Sequence, residues 1–362
     1  MKKSLIALAV LAASGAAMAQ SSVTLFGIVD TNVSYLDGIG NNSDSKYGLG
    51  TSGLSTSRLG FRGVEDLGGG LKAGFHLEGE IFGDEGNASG LNFQRRSTVS
   101  LMGGFGEVRL GRDLTAGYTK TGSYDVFDQA GYGMFLGWSA WGAVGADANG
   151  IRKSNMITYF TPNMSGFSGA IGYGFDEQTT GSLGRYVGGY VAYDNGPLSL
   201  ALSYDQSDLG QAAAAATLTT PAVVARKIER DVVTLGASYD FGMAKLNGMY
   251  QRLQDDEAGF ADKKVNSFAV GVSAPVGAAG VVKLQYALYD QENVGTRDSK
   301  AHHISLGYQH NLSKRTAVYG TVSYMDNKDV SAVALSGKGL GTNPSRAGDS
   351  QTGVQVGIRH SF

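Results

Sequence analysis

The chain is predicted to be all-β, a sixteen-stranded antiparallel transmembrane barrel with short periplasmic turns and long extracellular loops. Three observations predict it. Runs of roughly ten residues alternate apolar and polar side chains all along the chain. After Gln20 no stretch approaches the ~18–20 consecutive apolar residues of a membrane helix. The connections between runs alternate short and long. Composition agrees: 55 Gly, 18 Tyr, 5 Pro and no Cys in 362 residues suit many strands and tight turns, and exclude disulfides and thiolate metal sites.

The N-terminus carries an export address. Met1-Lys2-Lys3 is basic, 5–13 is a short apolar run, and Ala17-Met18-Ala19 is a small-x-small cleavage pattern, so residues 1–19 are expected to be a cleaved signal peptide. Residues 20–362 then form a single barrel domain. Loss of Lys2 and Lys3 leaves 28 of the 30 basic residues against 32 acidic ones, which is no balance for a nucleic-acid partner.

In order, Val23, Leu25, Gly27, Val29, Val33 and Tyr35 share one parity and form the first strand. Leu59 and Phe61 alternate with Arg58 and Arg62; Gly68-Gly69-Gly70 then turns the chain into Leu71, Ala73, Phe75 and Leu77, alternating with Lys72, His76, Glu78 and Glu80. Strands four and five lie near 93–101 and 108–112 around Gly103-Gly104-Phe105-Gly106, and six and seven near 154–161 and 167–175. The later hairpins turn at Asn195-Gly196-Pro197, Asp240-Phe241-Gly242, Pro275-Val276-Gly277 and Asn311-Leu312-Ser313-Lys314, and Val354, Val356, Ile358 and Phe362 close the sixteenth strand.

Seven connections are tight and eight are long, near 37–53, 83–91, 114–151, 177–183, 208–228, 255–264, 291–300 and 327–350. In lipid a strand has no hydrogen-bond partner but another strand, so only a closed barrel crosses. Sixteen strands enclose enough space for water. Tyr193, Tyr204, Tyr239, Tyr250, Tyr308 and Tyr324 stand at the ends of the apolar runs, where an amphipathic ring suits the headgroup level. The stretch 114–151 breaks the alternation and gathers Tyr118, Tyr124, Asp125, Asp128, Asp147 and both tryptophans, Trp138 and Trp141, which reads as a loop with a function.

Several motifs carry a resemblance. Thr24-Leu25-Phe26-Gly27 with Asp30, the run from Ser57-Arg58-Leu59-Gly60-Phe61-Arg62 to Gly68, Gly104-Phe105-Gly106-Glu107-Val108-Arg109-Leu110-Gly111-Arg112, Asn155 with Thr161-Pro162, and the terminal Arg359-His360-Ser361-Phe362 resemble the general porins of Gram-negative bacteria, most closely the beta-proteobacterial type. The resemblance runs the length of the chain. It implies a homotrimeric, water-filled outer-membrane diffusion channel for small hydrophilic solutes and ions, not an enzyme and without a cofactor, whose third long loop folds into the pore. It also implies contact with outer-membrane lipid and lipopolysaccharide, and recognition of Phe362 by the β-barrel assembly machinery.

The resemblance further places an arginine cluster opposite that loop, contributed by the second, fourth and sixth strands. The matching positions are Arg58, Arg95 and Arg152. Strand four has two adjacent arginines; the motif favours Arg95, and plain alternation with Gln94, Thr98 and Ser100 favours Arg96. Arg62 and Lys72 belong to the same basic side, and Asp125, Asp128, Asp147, Tyr118 and Tyr124 to the facing loop. Arginine on the lipid face near the midplane costs roughly 2–4 kcal/mol, so these side chains should point into water. Opposed by carboxylates they set up a transverse field, and the basic side lowers the barrier for anions. A modest anion preference is therefore expected.

Other signals are weaker. Gly48-Leu49-Gly50-Thr51-Ser52-Gly53 fits a dinucleotide pattern, but no helix follows. The five histidines have no metal spacing, and adjacent His302 and His303 should face opposite sides of one strand. The tryptophans are expected to anchor the loop rather than to stack solutes.

Overall fold

The structure is a computed structural model and describes residues 22–40, 42–86, 92–138, 150–179, 181–211, 226–258, 262–292, 299–336, 338, 340 and 346–362. The expected signal peptide, Trp141, Asp147 and the alanine run at 212–216 lie outside the described residues.

Seventeen strand segments form one closed antiparallel sheet. They are β1 (Ser22–Ile39), β2 (Asp44–Thr51), β3 (Arg58–Gly68), β4 (Leu71–Glu80), β5 (Arg96–Gly103), β6 (Gly106–Leu114), β7 (Arg152–Phe160), β8 (Phe167–Gly174) and β9 (Tyr186–Asn195). The rest are β10 (Leu198–Gln211), β11 (Arg226–Asp240), β12 (Lys245–Glu257), β13 (Lys263–Val276), β14 (Gly280–Glu292), β15 (Ser299–Asn311), β16 (Thr316–Asp329) and β17 (Ser350–Ser361). β17 returns to β1 over Ile28↔Ser361 to Asp37↔Thr352 and closes the sheet. β1 pairs with β3 along its first part and with β2 along its second, so β2 and β3 are two pieces of one stave and the barrel has sixteen.

That stave breaks for an identifiable reason. The Asp30 carboxylate on β1 is fully buried and accepts from the backbone N–H groups of Gly53, Leu54 and Ser55 and from the Tyr319 hydroxyl. Buried carboxylates must be satisfied, and here the donors come from a kinked link that delivers Arg58 to the start of β3.

The expected loop at 37–53 needs correction: β1 continues to Ile39 and residues 44–51 return beside it as β2. A hairpin that projects beyond the apolar belt meets water on its outer side, so its polar composition imitates a loop. The same extension carries β10 to Gln211 and starts β11 at Arg226, inside the connection expected over 208–228. The dinucleotide-like glycines fall in β2 and the link after it.

Outward residues are apolar and exposed, as with Leu200, Leu202, Leu235, Phe268, Leu284 and Leu306. The buried hydrophobic core of the described residues lies inside the barrel. Tyr124, Tyr132, Phe135 and Leu136 of the third long connection pack there with Met249, Leu253, Val265, Ala287, Tyr289 and Met325 on the inner wall. A barrel lumen is usually polar; this one is apolar where a chain segment covers it.

Candidate functional site: the lumen between the inward loop and the arginine wall

The third long connection leaves β6 and turns inward at once. Thr115 caps a short helix, α1 (Ala116–Thr121), by accepting from the Tyr118 amide. The helix start is held from the wall: the Ala116 amide donates to the Tyr186 hydroxyl (2.9 Å), which donates to Asp205 (2.5 Å), and the Gly117 amide donates to Asp205 (3.3 Å). The segment then follows the inner wall. Lys120 pairs with Asp194 at 2.7 Å, the Tyr124 hydroxyl meets Ser199, and the amides of Val126, Tyr132 and Leu136 donate to Gln285, Gln355 and the Tyr289 hydroxyl. Three glycines open the space: a Cβ at Gly236, Gly271 or Gly353 would overlap Tyr124, Val126 or Tyr132. The loop thus lines the wall from β9 round to β17 and the inner part of β1, opposite the arginine-bearing strands β3 to β7.

That opposite side carries the arginines. Arg95 sits in the bend before β5; its backbone N–H donates to the Glu78 carbonyl and its Nε to the Glu78 carboxylate at 2.6 Å. Arg58 approaches the same carboxylate at 3.8 Å. The Arg152 Nε donates to the Arg95 carbonyl at 3.0 Å, and among the described residues Arg152 has no ion-pair partner. Arg96, on the inward parity with buried Thr98 and Ser100, reaches Asp113 at 3.4 Å. Arg109 spans Asp113 (2.7 Å) and Glu107 (2.9 Å). Alternation thus accounts for Arg96; Arg95 precedes the strand, where alternation does not apply, and both arginines join one network.

Arg62 is exposed to the lumen four residues along β3 from Arg58, and Lys72 lies at the short-turn end of β4, roughly 20 Å from Glu78 at 3.3 Å per residue. On the loop, Tyr118 packs edge-on against Trp138 (5.0 Å) within electrostatic reach of Arg152 and Arg95. Asp125 is turned into the loop's interior, accepting from the amides of Phe127, Gln129 and Phe135 and from the Gln129 side chain. Burial pushes its carboxyl above the ordinary carboxylate range, opposed by those donors. Asp128 is exposed and pairs with Lys283 of the far wall at 2.9 Å. Tyr124 is buried on Gly236. Trp138 packs on Phe135, and its indole N–H reaches the Gln251 amide oxygen. His302 and His303 fall on opposite faces, His303 buried inward and His302 half-buried beside the Tyr286 hydroxyl.

Sequence reading passed over the carboxylates that organise the arginines, Asp113 above all, although it stands at i+4 from Arg109. It also passed over a second inward segment. Val333, Leu335 and Leu340 of the last long connection are buried, the Leu335 amide donates to Gln351, and Lys338 pairs with Glu80. The available signal was apolar side chains on the inward parity of the later strands, such as Met249, Leu253 and Met325, which need something apolar to cover them.

A closed sixteen-stave barrel with an apolar outer belt and an open, charge-lined lumen is a transmembrane diffusion channel. Residues 5–330 match the family described as Gram-negative porin, and the chain belongs to that family. It is 62% identical over 369 residues to outer membrane porin protein 32 of Delftia acidovorans, with all of both chains covered, and 35% identical over 418 residues to an outer membrane porin protein of Bordetella pertussis, again over both full lengths. Among solved structures it is similar to the anion-selective porin from Comamonas acidovorans, with TM-score 0.87, 58% identity, and 95% of this chain and 100% of that one covered. The trimer form of OmpT of Vibrio cholerae shares the fold, with TM-score 0.72 at 16% identity over 95% of this chain and 100% of that one. The protein is an outer-membrane porin, a channel and not an enzyme.

Proposed function

We propose that the channel passes small hydrophilic solutes with a modest preference for anions, set by Arg58, Arg95, Arg96 and Arg152 across from the inward loop. One observation carries this reading: around the opening Glu78 and Asp113 are already held by Arg95, Arg96 and Arg109, while Arg152 has no carboxylate partner among the described residues. The local excess is positive although the chain's formal charge is −2. The loop's contribution is to narrow the lumen and present Tyr118; Asp125 serves its folding. The anion selectivity of the Comamonas acidovorans porin agrees with this reading. Reversal potentials in asymmetric KCl test it, and a cation-selective sign sinks it.

The assembly reading is a homotrimer with residues 1–19 removed. Exposed tyrosines ring β8 to β16, including Tyr173, Tyr204, Tyr239, Tyr286, Tyr308 and Tyr324, with half-buried Tyr193 among them. The outer face of β17, β1 and β3 to β6 instead carries Val23, Leu25, Val29, Val99, Leu110 and Val356, with Tyr35 and Tyr47 only on the first hairpin. A gap in the girdle suits contact with another copy in place of headgroups. Above the girdle, exposed Lys227, Lys300 and Lys328 suit lipopolysaccharide phosphates. Phe362 seals the seam, exchanging backbone hydrogen bonds with Gly27 while its ring covers that glycine.

A further inference from the structure

On the short-turn side of the arginine network the lumen wall has a recess that shares Arg96 and Arg109 with that network and adds Arg62. Strand register places Thr24, Arg62, His76 and Thr98 in one row across β1, β3, β4 and β5. Gly74, Ser100 and Arg109 form the next row. Gly74 has no side chain, and a Cβ there would meet the Met102 methyl. The result is a notch of about 290 Å³ whose lining includes Arg62, His76, Ser100, Arg96, Arg109 and Glu107.

The cations around this notch are not equivalent. Arg109 is engaged by Glu107 and Asp113, and Arg96 by Asp113. Arg62 has no carboxylate within ion-pair distance among the described residues, and its guanidinium lies 5.1 Å over the Phe26 ring. Phe26 is itself held edge-on by His76 at 5.2 Å. A guanidinium held over a ring by cation–π attraction spends no N–H group on that contact, so its donors remain for two oxygens of one anion. Glu107 would repel an anion, but both its oxygens are occupied by Arg109 at 2.9 and 3.0 Å.

We propose that this recess is a second station for small oxyanions, with Arg62 as the bidentate donor and the notch above Gly74 as the seat. The proposal rests on the reading of the channel as anion-preferring and adds a place where a permeating carboxylate or phosphate pauses after the constriction. Chloride, a single sphere, gains little from a fork, so the station separates oxyanions from halide.

The test is single-channel conductance of the purified full-length protein across rising potassium phosphate concentrations, beside KCl reversal potentials. Wild-type conductance is expected to saturate in phosphate more steeply than in chloride. Arg62→Gln should raise the half-saturating phosphate concentration by about tenfold, the worth of one bidentate charge-assisted contact, while the KCl reversal potential shrinks but keeps its anionic sign. Arg62→Lys, which keeps charge without the fork, should behave like Arg62→Gln toward phosphate. A wild type without saturation, an Arg62→Gln or Arg62→Lys channel that saturates like the wild type, or loss of saturation in Arg152→Gln but not Arg62→Gln, overturns the station. A cation-selective KCl reversal potential overturns the underlying reading separately.

Discussion

At the scale of single residues, charge and partnership separate what arginine counts alone cannot. Arg152 contributes a charge without a carboxylate partner, whereas Arg95 and Glu78 form a close pair at 2.6 Å. One charge a few ångströms from the ion path in a partly watery lumen is worth on the order of 1 kcal/mol. Arg152→Gln is therefore expected to lower the anion-to-cation permeability ratio by about two- to fivefold, read as a smaller reversal potential in asymmetric KCl. The double change Arg95→Gln with Glu78→Gln removes no net charge and should leave that ratio near the wild-type value; a fall as large as that of Arg152→Gln would contradict the assignment. The arginines were legible because alternation places Arg58, Arg62 and Arg96 inward. Which of them are neutralised was not legible, because Glu78 and Asp113 come from neighbouring strands and only register brings them together. Asp125 misleads for the opposite reason: an acid in a suspected constriction loop reads as a pore charge, while the fold spends its lone pairs on the loop's own amides.

At the scale of the element, the inward loop is held by burial and by hydrogen bonds from wall glutamines and tyrosines. Phe135 is 1% exposed and packs against Tyr289 and Trp138. Truncating a buried phenylalanine costs about 3–5 kcal/mol, enough to detach a local segment while the sheet remains paired. Phe135→Ala is expected to keep the barrel's heat-resistant mobility on gels but to raise open-channel noise and expose the loop to limited proteolysis. Gly236→Leu should act likewise from the wall, since any side chain there overlaps the Tyr124 ring; a variant with wild-type noise and protease resistance would show that the Tyr124 seat is not needed. The loop's existence was plain from the broken alternation, and its landing site was foreshadowed by Met249, Leu253, Val265 and Met325 on the inward parity. The β2 hairpin escaped notice because polar strands in water carry no period-two signal.

At the scale of the whole molecule, the outer surface is divided. One arc is ringed by tyrosines; the other, from β17 through β1 to β6, is mainly aliphatic, with exposed tyrosines only on the first hairpin and exposed phenylalanines at Phe75 and Phe105. A lone barrel surrounded by lipid gains from aromatic anchors all the way round, so an arc with few tyrosines follows if copies of the chain pack there. Val29 and Val99 stand on that arc, 40% and 54% exposed. An arginine on a surface that remains in hydrocarbon costs roughly 2–4 kcal/mol wherever it is placed, so substitution by charge alone cannot tell lipid from protein. Bulk can: Val99→Trp on a face that meets only lipid is accommodated or welcomed, whereas at a packed interface between copies it overfills the contact, at a cost of about 1–3 kcal/mol. Native mass spectrometry in mild detergent is expected to show trimers for the wild type, trimers for the control Leu284→Trp on β14, and a shift toward monomer for Val99→Trp. Equal trimer content in the two variants would remove this arc as the contact face, and a monomeric wild type would remove the trimer itself.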